Sequence, residues 1–373
     1  VMRTKSLTYI TYQTFPAGTA NSLQTISTVN YFIKNGIQVK LYFPLREKSS
    51  SDNKNELKKF YSVDEEIKFI GLKHKLPFGK IKFLEPIWFH LSHFLWSKKN
   101  VDNIIKLSGP NEVFFTRSDW VLYFLAKKDK NIIFECHQTS KIRDWVLKKV
   151  SKNHKVKIIF VNNNLEKYYK NLNLNSKVLH SGVDSILFSK FKNIKKKKNQ
   201  VVYVGNLLRF GKKRNLEFII EAFSSFDELK NYKLQIIGGP KKEALRLKKI
   251  VSQKKLKNIY ITGRLNREET AEKIMESSIG ILVNTSESVH SREFTSPLKY
   301  FEYLFANLNI VAVDFPAHRI LPYSNNIEFF EEGNNREFIT SLVKSSSKKS
   351  KSNFKGISMD ERIKEIIKFV ENN

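Results

Sequence analysis

The sequence predicts an α/β protein with two Rossmann-like domains, each built on a parallel sheet with helices on its faces. Three observations lead to this prediction. The chain has 373 residues, which exceeds the usual size of a single hydrophobic core. In both halves, short apolar runs alternate with helix-length segments, as strands alternate with crossover helices. Between the halves, the polar, lysine-rich stretch 189–200 is typical of a linker.

The apolar runs give the order of the predicted strands. In the C-terminal half they lie at Val201–Val204, Leu234–Ile237, Ile259–Thr262, Gly280–Val283 and Ile310–Val313. In the N-terminal half they lie at Leu7–Thr11, Val39–Phe43, Val113–Thr116, Ile132–Glu135 and Ile158–Val161. The segment Asn21–Lys34 has apolar residues at helical spacing and ends at Asn35 and Gly36, which suit a C-cap.

These patterns define the domain organisation that we expect. An N-terminal domain spans 1–190, a linker spans 191–200, and a C-terminal domain spans 201–344. A low-complexity, mobile segment follows at 345–357. The final segment, 358–373, regains helical spacing, and the N-terminal domain is a candidate surface for it to pack on.

The chain is strongly basic. It has 66 Lys and Arg against 36 Asp and Glu, a formal net charge of +30. Such a charge favours an anionic partner, which is a nucleic acid, an anionic membrane or a phosphorylated substrate. The lysine runs at 195–198 and 344–351 are best interpreted as solvated linker and tail. Because no known nucleic-acid-binding motif is present, we expect no nucleic-acid partner.

Cysteine usage and hydropathy indicate the compartment. Cys136 is the single cysteine, which excludes an intramolecular disulfide and fits a reducing environment. No apolar run approaches twenty residues, and the first residues lack the apolar core of a secretion signal. We therefore expect a cytoplasmic protein that is not integral to a membrane.

Residues 73–99 mix lysines with aromatic and aliphatic residues, among them Phe83, Trp88 and Trp96. One interpretation is an interfacial helix on an anionic membrane, which would make the protein peripheral on the inner membrane face. The other is an ordinary buried helix with a lysine-rich approach. The sequence leaves both open.

The segment Glu293–Glu302 is the clearest candidate for a ligand site. Ser296 suits an N-cap and Pro297 suits the first position of a helix that runs to about Ala306. The start of such a helix favours a diphosphate. Glu302 lies among apolar residues and needs hydrogen-bond partners, which ribose hydroxyls would supply. The plainer alternative is a capped amphipathic helix whose glutamate is solvated, but the segment follows a strand end, where ligands bind in such sheets.

Two further turns carry candidate residues. A predicted strand ends at Gly205, and Lys213 and Arg214 follow before the next helix, where cations can neutralise a departing diphosphate. A solvated basic turn is the alternative. In the first loop of the chain, Gly18 would allow a close approach of backbone to substrate. His137 stands just beyond another predicted strand, although a lone histidine is usually structural or exposed.

The run Ser296–Leu304, SPLKYFEYL, resembles the "SPLK-x-x-EY" variant of the donor-binding motif of glycosyltransferase family 4. The resemblance covers nearly the whole chain. It implies the GT-B fold, in which two Rossmann-like domains face each other across a cleft, and a reaction that retains anomeric configuration. It also implies that Gly205, Thr295, Ser296, Pro297 and Leu298 bind the donor and that Glu302 holds the ribose.

Other segments resemble the same family and imply further roles. The family's "E-x-H" histidine, which contacts the donor sugar, falls on His137, and its "Y-T-R-S" segment resembles the one containing Arg117. Gly18 and Arg117 then belong to the acceptor side. Lys213 or Arg214 corresponds to the family's lysine. The first glutamate of its Glu-x7-Glu motif would be residue 294, but that residue is a phenylalanine and Glu293 stands one place earlier.

The resemblance implies transfer of a hexosyl unit from a nucleoside diphosphate sugar to a glycan or lipid-linked hydroxyl acceptor, with the donor on the C-terminal domain. The catalytic candidates are His137, Lys213, Arg214 and Glu293. No Asp-x-Asp occurs in the sequence, so we expect no metal and no other cofactor. The alternatives are a GT-B relative with other chemistry, such as a nucleotide-sugar epimerase or a phosphorylase, and a basic nucleic-acid-binding protein.

Overall fold

A computed structural model describes residues 5–63, 65–74, 85–209, 212–348 and 353–371 of the chain. They form two units, which are described separately below. One unit comprises Val1–Leu179 together with Met359–Asn373, and the other comprises His180–Ser358. Within the described ranges, no helix is both long enough and apolar enough to cross a membrane.

The first unit is built on one parallel sheet of seven strands. The strands, β1 to β7, are Ser6–Ile10, Gln38–Leu45, Lys68–Lys73, Val113–Thr116, Asn131–Cys136, Val156–Phe160 and Ser176–Val178. Their order across the sheet is β3-β2-β1-β4-β5-β6-β7. Because all neighbouring strands are parallel, their carboxyl ends meet at one edge of the sheet.

Helices connect these strands and cover the sheet. In this unit they are α1 to α6, at Ala20–Lys34, Lys54–Tyr61, Glu85–Lys106, Asp119–Ala126, Lys141–Val150 and Asn163–Tyr169. The local sequence explains the bounds of α1. Thr19 accepts a hydrogen bond from the Ser22 amide at its start, and Gly36, at a φ of +81°, follows its C-cap Asn35.

The second unit has its own parallel sheet and a short hairpin. Its strands, β8 to β15, are Gln200–Val204, Leu208–Arg209, Lys212–Lys213, Lys233–Ile237, Ile259–Gly263, Ile279–Leu282, Asn309–Val313 and Ile327–Phe330. The sheet has the order β12-β11-β8-β13-β14-β15, while β9 and β10 pair antiparallel. The helices, α7 to α13, are Ser185–Ser189, Leu216–Ser225, Lys241–Gln253, Arg267–Met275, Leu298–Phe305, Pro316–Arg319 and Asn335–Ser347.

The last helix, α14 at Met359–Glu371, returns to the first unit. Its buried residues Met359, Ile363 and Ile366 share a hydrophobic core with Leu7 and Ile26. Its apolar residues recur at helical spacing, so one stripe of the helix closes a face of the first sheet.

All ten strands predicted from the sequence are present, each with its ends within two residues of the prediction. The chain passes between the units at Leu179 and His180. Residues 180–190 pack with the second unit, because Phe188 is buried there and the Val183 amide donates to the Ile357 carbonyl at 2.8 Å.

The segment predicted as a solvated linker is bound to the second unit. Lys196 Nζ donates to the carbonyl of Ala306 at 2.6 Å and to that of Ser277 at 3.0 Å. Burial lowers the pKa of Lys196 to about 8. In the low-complexity segment, residues 345–347 complete α13 and Ile357 is buried in a core, while residues 349–352 lie outside the described part.

Candidate active site

The turn after β8 is held by two glycines. The Gly205 amide donates to the Ile237 carbonyl at 3.0 Å, and the Gly238 amide donates to the Gly263 carbonyl at 2.9 Å. A Cβ at Gly238 would lie 1.8 Å from the Gly205 oxygen, so the two turns meet through backbone alone. Glycine is required at 238 for this close approach. The contact fixes the Gly205 turn at the carboxyl edge of the sheet, where ligands bind in parallel α/β sheets.

Lys213 and Arg214 follow that turn but differ in environment. The Lys213 side chain is 60% exposed, and its Nζ lies 3.2 Å from a carboxylate oxygen of Glu217. The Arg214 side chain hydrogen-bonds the Tyr203 hydroxyl. Its Nε is buried and has no acceptor among the described residues. Because an unpaired buried N–H is costly, Arg214 is suited to hold an anion.

A cavity of about 430 Å³ opens beside these two cations. Its wall also includes Thr285 and Glu287, from the loop after β13, and Glu332. Arg246 reaches the same wall but lies 2.5 Å from Glu217 and 2.6 Å from Glu243, which neutralise it. The cavity therefore joins the Gly205 turn to the loop that leads into α11. Glu293 and Glu302 are not among the described residues that line this cavity.

The chain approaches α11 through a π-helical turn, His290–Phe294. Such turns are rare and are frequent at functional sites. Glu293 lies in this turn, about a third exposed, with its carboxylate 3.9 Å from Nε of Arg292. Thr295 Oγ1 then donates to the His290 carbonyl at 3.0 Å, which ties the end of the turn back to its start.

The start of α11 differs from the prediction by one residue. The helix begins at Leu298, and Pro297 is the N-cap because its ψ of 119° is extended. The predictions that Ser296 caps the helix and that Pro297 is its first residue are therefore wrong. Ser296 lies one residue too early to cap, and its buried Oγ has no partner among the described residues. The predicted end near Ala306 is confirmed.

Glu302 lies on the second turn of α11 and is mostly buried. Its carboxylate accepts a hydrogen bond from Lys299 Nζ at 2.6 Å, and its side chain is 18% exposed. The next residue, Tyr303, is fully buried, and its hydroxyl accepts from the Val204 amide at 3.1 Å. This bond ties α11 to the end of β8, so Glu302 is carried by a helix that is anchored beside the Gly205 turn.

In the first unit, Glu135 is the centre of a buried ion cluster. Its carboxylate lies 2.5 Å from Arg117, 2.5 Å from Nε2 of His137 and 2.5 Å from Arg362 of α14. Glu135 is fully buried, and both arginines are less than 10% exposed. Burial alone would raise the pKa of Glu135, but Arg117, Arg362 and His137 hold it well below its usual range.

His137 is neutral within this cluster. Burial, followed by the charge of Arg117, lowers the pKa of His137 to about 4 against the opposite pull of Glu135. Because an ionised carboxylate can only accept, Nε2 carries the ring proton and donates it to Glu135. The Nδ1 atom is then a hydrogen-bond acceptor, with the ring orientation fixed from behind.

The two acceptor-side candidates lie at the same edge of the first sheet. Arg117 follows β4, and its guanidinium donates to Asn21 in the first turn of α1 at 3.3 Å. Gly18 is in the loop that leads into α1, directly before the N-cap Thr19. The structure therefore places Arg117 at the start of α1, next to Asn21, which lies three residues after Gly18 in the chain.

Two residues of the buried cluster, Glu135 and Arg362, were not predicted as site residues. Glu135 lies in the segment that resembles the "E-x-H" motif, and Arg362 lies 227 residues away on α14. The spacing of Met359, Ile363 and Ile366 places residue 362 on the buried stripe of α14, and an arginine in that stripe was the signal. Residues 73–99 were the stretch that mixes lysines with aromatic residues. Of these, residues 75–84 lie outside the described part of the chain, and residues 85–99 form most of α3.

Residues 184–319 match the sequence profile of the family glycosyl transferases group 1. No curated protein matches the chain in sequence. The matched residues 184–319 include the Gly205 turn, Lys213, Arg214, the π-helical turn and α11.

Solved structures extend the likeness to the whole chain. Sucrose-phosphate synthase from Thermosynechococcus elongatus superposes with a TM-score of 0.65 at 13% identity, covering 98% of this chain and 94% of that one. The pneumococcal O-GlcNAc transferase GtfA gives 0.66 at 9%, covering 99% and 100%. The lipopolysaccharide outer core galactosyltransferase WaaB gives 0.57 at 14%, covering 98% and 96%. Residues 184–319 are thus similar to the group 1 glycosyl transferases, and the two α/β units of the chain have the fold known as GT-B.

Proposed function

We propose that this protein is a retaining glycosyltransferase that moves a hexosyl unit from a nucleoside diphosphate sugar to a hydroxyl acceptor. The observation that carries the proposal is the family match of residues 184–319, because the Gly205 turn, the two cations and α11 all fall inside it. The pathway that we propose is the synthesis of cell-surface polysaccharide or lipopolysaccharide, which the likeness to WaaB supports.

The diphosphate is the part of the donor for which the second unit is best suited. Arg214 offers a guanidinium whose buried Nε–H has no partner among the described residues, whereas Lys213 is exposed and paired. We therefore assign the diphosphate to Arg214, with Lys213 in support. The amides of the first turn of α11 suit an anion at the same edge, and no acidic residue occupies that turn. Stabilising the departing diphosphate is the main catalytic contribution of these groups.

Glu302 and His137 are assigned to the ribose and to the transferred sugar. The Glu302 carboxylate has one oxygen on Lys299 and keeps capacity for a second hydrogen bond, which suits a vicinal hydroxyl. Neutral His137 presents an acceptor nitrogen for a sugar hydroxyl, and Glu135 keeps the ring in that orientation. Both side chains orient the donor, and neither needs to change its charge.

The reaction class can be tested with purified protein. We expect turnover of a nucleoside diphosphate sugar with an added chelator, because the proposal has no step that uses a metal. Nuclear magnetic resonance of the product's anomeric proton should show the donor's configuration. Loss of turnover in chelator would contradict metal independence, and inversion would contradict retention. Isomerised donor or released sugar phosphate would favour an epimerase or a phosphorylase instead.

Glu302→Gln tests the donor site directly. Nucleoside diphosphate binding should raise the melting temperature of the wild type, since a ligand that binds only the folded state stabilises it. The variant should bind about tenfold more weakly, because a charge-assisted hydrogen bond to the ribose is lost. A thermal-shift titration with several nucleoside diphosphates measures both.

The matched control is Glu268→Gln. Glu268 is also a carboxylate of the second unit that pairs with a lysine, Lys190, at 2.6 Å, but it lies on an exposed surface. Its variant should bind like the wild type. Equal shifts of the melting temperature in the wild type and both variants would show that Glu302 does not bind the ribose.

A membrane partner belongs to the same proposal, with the protein on the cytoplasmic face. On α3, Ile87, Leu91 and Leu95 are exposed at intervals of four residues, so they form one apolar stripe. Lys98 and Lys99 are exposed on the same helix. An apolar stripe flanked by lysines suits an anionic lipid surface.

Replacing Ile87, Leu91 and Leu95 together with serine should lower binding to vesicles that contain phosphatidylglycerol by about tenfold or more, since each side chain contributes about 1 kcal/mol of burial. Cosedimentation measures this binding. The control replaces Ile186, Leu245 and Tyr260, which are equally exposed in the second unit. Equal binding by both triple variants would argue against a membrane role of α3.

A further inference from the structure

A second polar cluster lies in the first unit, at the carboxyl ends of its first three strands. Tyr12 follows β1, Arg46 follows β2 and His74 follows β3. Since the strands are parallel, these residues share the sheet edge from which Arg117 and His137 extend. With three residues of α3 they form the Tyr12 cluster, which consists of Tyr12, Arg46, His74, Ser92, His93 and Trp96.

Tyr12 is the centre of this cluster. Its hydroxyl lies 2.6 Å from Nε2 of His74 and 2.9 Å from Oγ of Ser92. Its ring stacks on that of His93, with the ring centres 4.3 Å apart. The Arg46 guanidinium lies 5.0 Å from the ring centre and hydrogen-bonds the hydroxyl. Four chain segments, the ends of β1, β2 and β3 and helix α3, thus converge on one small region.

The middle turns of α3 bury several polar residues and expose two leucines. His93 and Ser97 are buried, whereas Leu91 and Leu95 are exposed. Hydrophobic burial alone favours the opposite orientation. The inward polar face therefore has a purpose other than filling the core.

Several buried atoms of that face have no hydrogen-bond partner. They are Nε2 of His93, Nε1 of Trp96 and Oγ of Ser97, counted against the residues that the structure describes, which leave out 75–84. The three residues are no more than 6% exposed. Native proteins satisfy nearly all buried polar atoms, so such a group marks the place of a polar ligand.

The charges of the region favour an anion. The indole N–H of Trp96 can only donate, and Arg46 adds a permanent positive charge. Burial, with the charges of His90 and Arg46, holds the pKa of His93 well below its ordinary value. Two carboxylates act nearby, and each has a partner: Glu47 accepts from Thr14 at 2.8 Å and lies 3.7 Å from Nε of Arg46, and Asp119 accepts from Arg143 at 2.7 Å. Because the Glu47 side chain is 49% exposed, solvent screens its attraction to Arg46. Among the described residues, no group of three or more histidine, cysteine or acidic side chains is arranged to hold a metal ion.

We propose that the Tyr12 cluster binds an anionic group of the acceptor, a phosphate or a carboxylate, through the donors of Arg46, His93 and Trp96. This inference rests on the proposed function, because it names the chemistry of the acceptor. The acceptor is then a phosphorylated or acidic glycan. Its anion sits at the ends of β1 to β3, on the same sheet edge as Arg117 and His137.

The test compares three sugars that differ in charge: glucose 6-phosphate, glucuronate and glucose. Each is titrated into full-length protein saturated with a nucleoside diphosphate, so that the donor site is already filled. Binding is followed by the nuclear magnetic resonance signals of the histidine rings. At least one charged sugar should bind about tenfold more tightly than glucose and move the His93 signal. The charged sugar that does so separates phosphate from carboxylate.

Two variants test whether the charged sugar binds at the Tyr12 cluster. Arg46→Gln should abolish the preference for the charged sugar. Trp96→Phe keeps the ring but removes the donor and should weaken binding about threefold to tenfold. Trp120→Phe is its control, since Nε1 of Trp120 is also buried and unpaired among the described residues, but the Trp120 ring lies on α4 and contacts Phe94 and Trp145.

Equal affinity for all three sugars would overturn the proposal, as would an unchanged preference in Arg46→Gln. Failure of the protein to bind any nucleoside diphosphate would instead count against the proposed function.

Discussion

Replacing Glu135 with glutamine is expected to lower the free energy of unfolding by about 3–5 kcal/mol at neutral pH. Arg117 and Arg362 keep their charges in the variant but lose the carboxylate that neutralises both of them inside the first unit. All three side chains are buried, so water cannot replace the lost partner. Urea unfolding of wild type and variant measures the difference.

The pH dependence of the same variant follows from the depressed pKa of Glu135. A carboxyl whose pKa is lower in the folded state stabilises the protein above its unfolded pKa of about 4.3 and loses that contribution as the pH falls through the folded value. The wild type should therefore lose stability faster than the Glu135→Gln variant below about pH 4. Unfolding curves taken between neutral pH and the acid range show whether the two proteins converge.

Glu243→Gln provides the comparison. Glu243 is also buried and bound to an arginine, but Arg246 is 32% exposed and has a second carboxylate on Glu217. Loss of the Glu243 charge should lower the free energy of unfolding by about 1 kcal/mol or less. Equal stabilities of the Glu135 variant and the wild type at neutral pH would show that the cluster contributes no net stability.

Gly238→Ala is expected to displace the Gly205 turn and to weaken nucleoside diphosphate binding by about tenfold or more. The new Cβ would lie 1.8 Å from the Gly205 oxygen, so one of the two backbone segments has to move. A contact with backbone cannot be relieved by a side-chain rotation. The stability cost should reach the upper end of the roughly 1–3 kcal/mol seen on overpacking. Calorimetric titration and thermal unfolding measure the two effects.

The neighbouring glycine serves as the control for Gly238→Ala. A Cβ at Gly239 would meet only the side chain of Arg264, at 3.4 Å and beyond, which is an ordinary contact. Gly239→Ala should therefore retain most of the binding. If both variants bind nucleoside diphosphate like the wild type, the Gly205 turn does not hold the diphosphate.

The fold was predictable wherever a strand is buried on both faces. Such strands are continuous apolar runs, and nine of the ten predicted strands are interior strands of a sheet. The tenth, Ile259–Gly263, lies at an edge but keeps an alternating apolar pattern. The missed sheet strands Lys68–Lys73, Ser176–Val178 and Ile327–Phe330 all lie at sheet edges. An edge strand is covered less completely and carries polar residues, so its pattern resembles a loop.

The site was predictable where its residues are close in sequence. The Gly205 turn, the two cations and α11 are local features, but the start of α11 depends on the extended ψ of Pro297, which propensity does not determine. The pairing of Glu135 with Arg362 joins positions 227 residues apart, and no local pattern indicates such a partner. The same reason hid the Tyr12 cluster, whose members follow three different strands or lie on α3.

Because α14 returns to the first unit, it also determines the order in which the two units can fold during synthesis. Residues 180–358 are complete before α14 is synthesised, so the second unit can fold while the first still lacks a helix. Until then, the apolar surface that Met359, Ile363 and Ile366 cover stays exposed, and Arg362 has not yet reached Glu135. The first unit can therefore complete its folding only after the residues of the second unit have been synthesised.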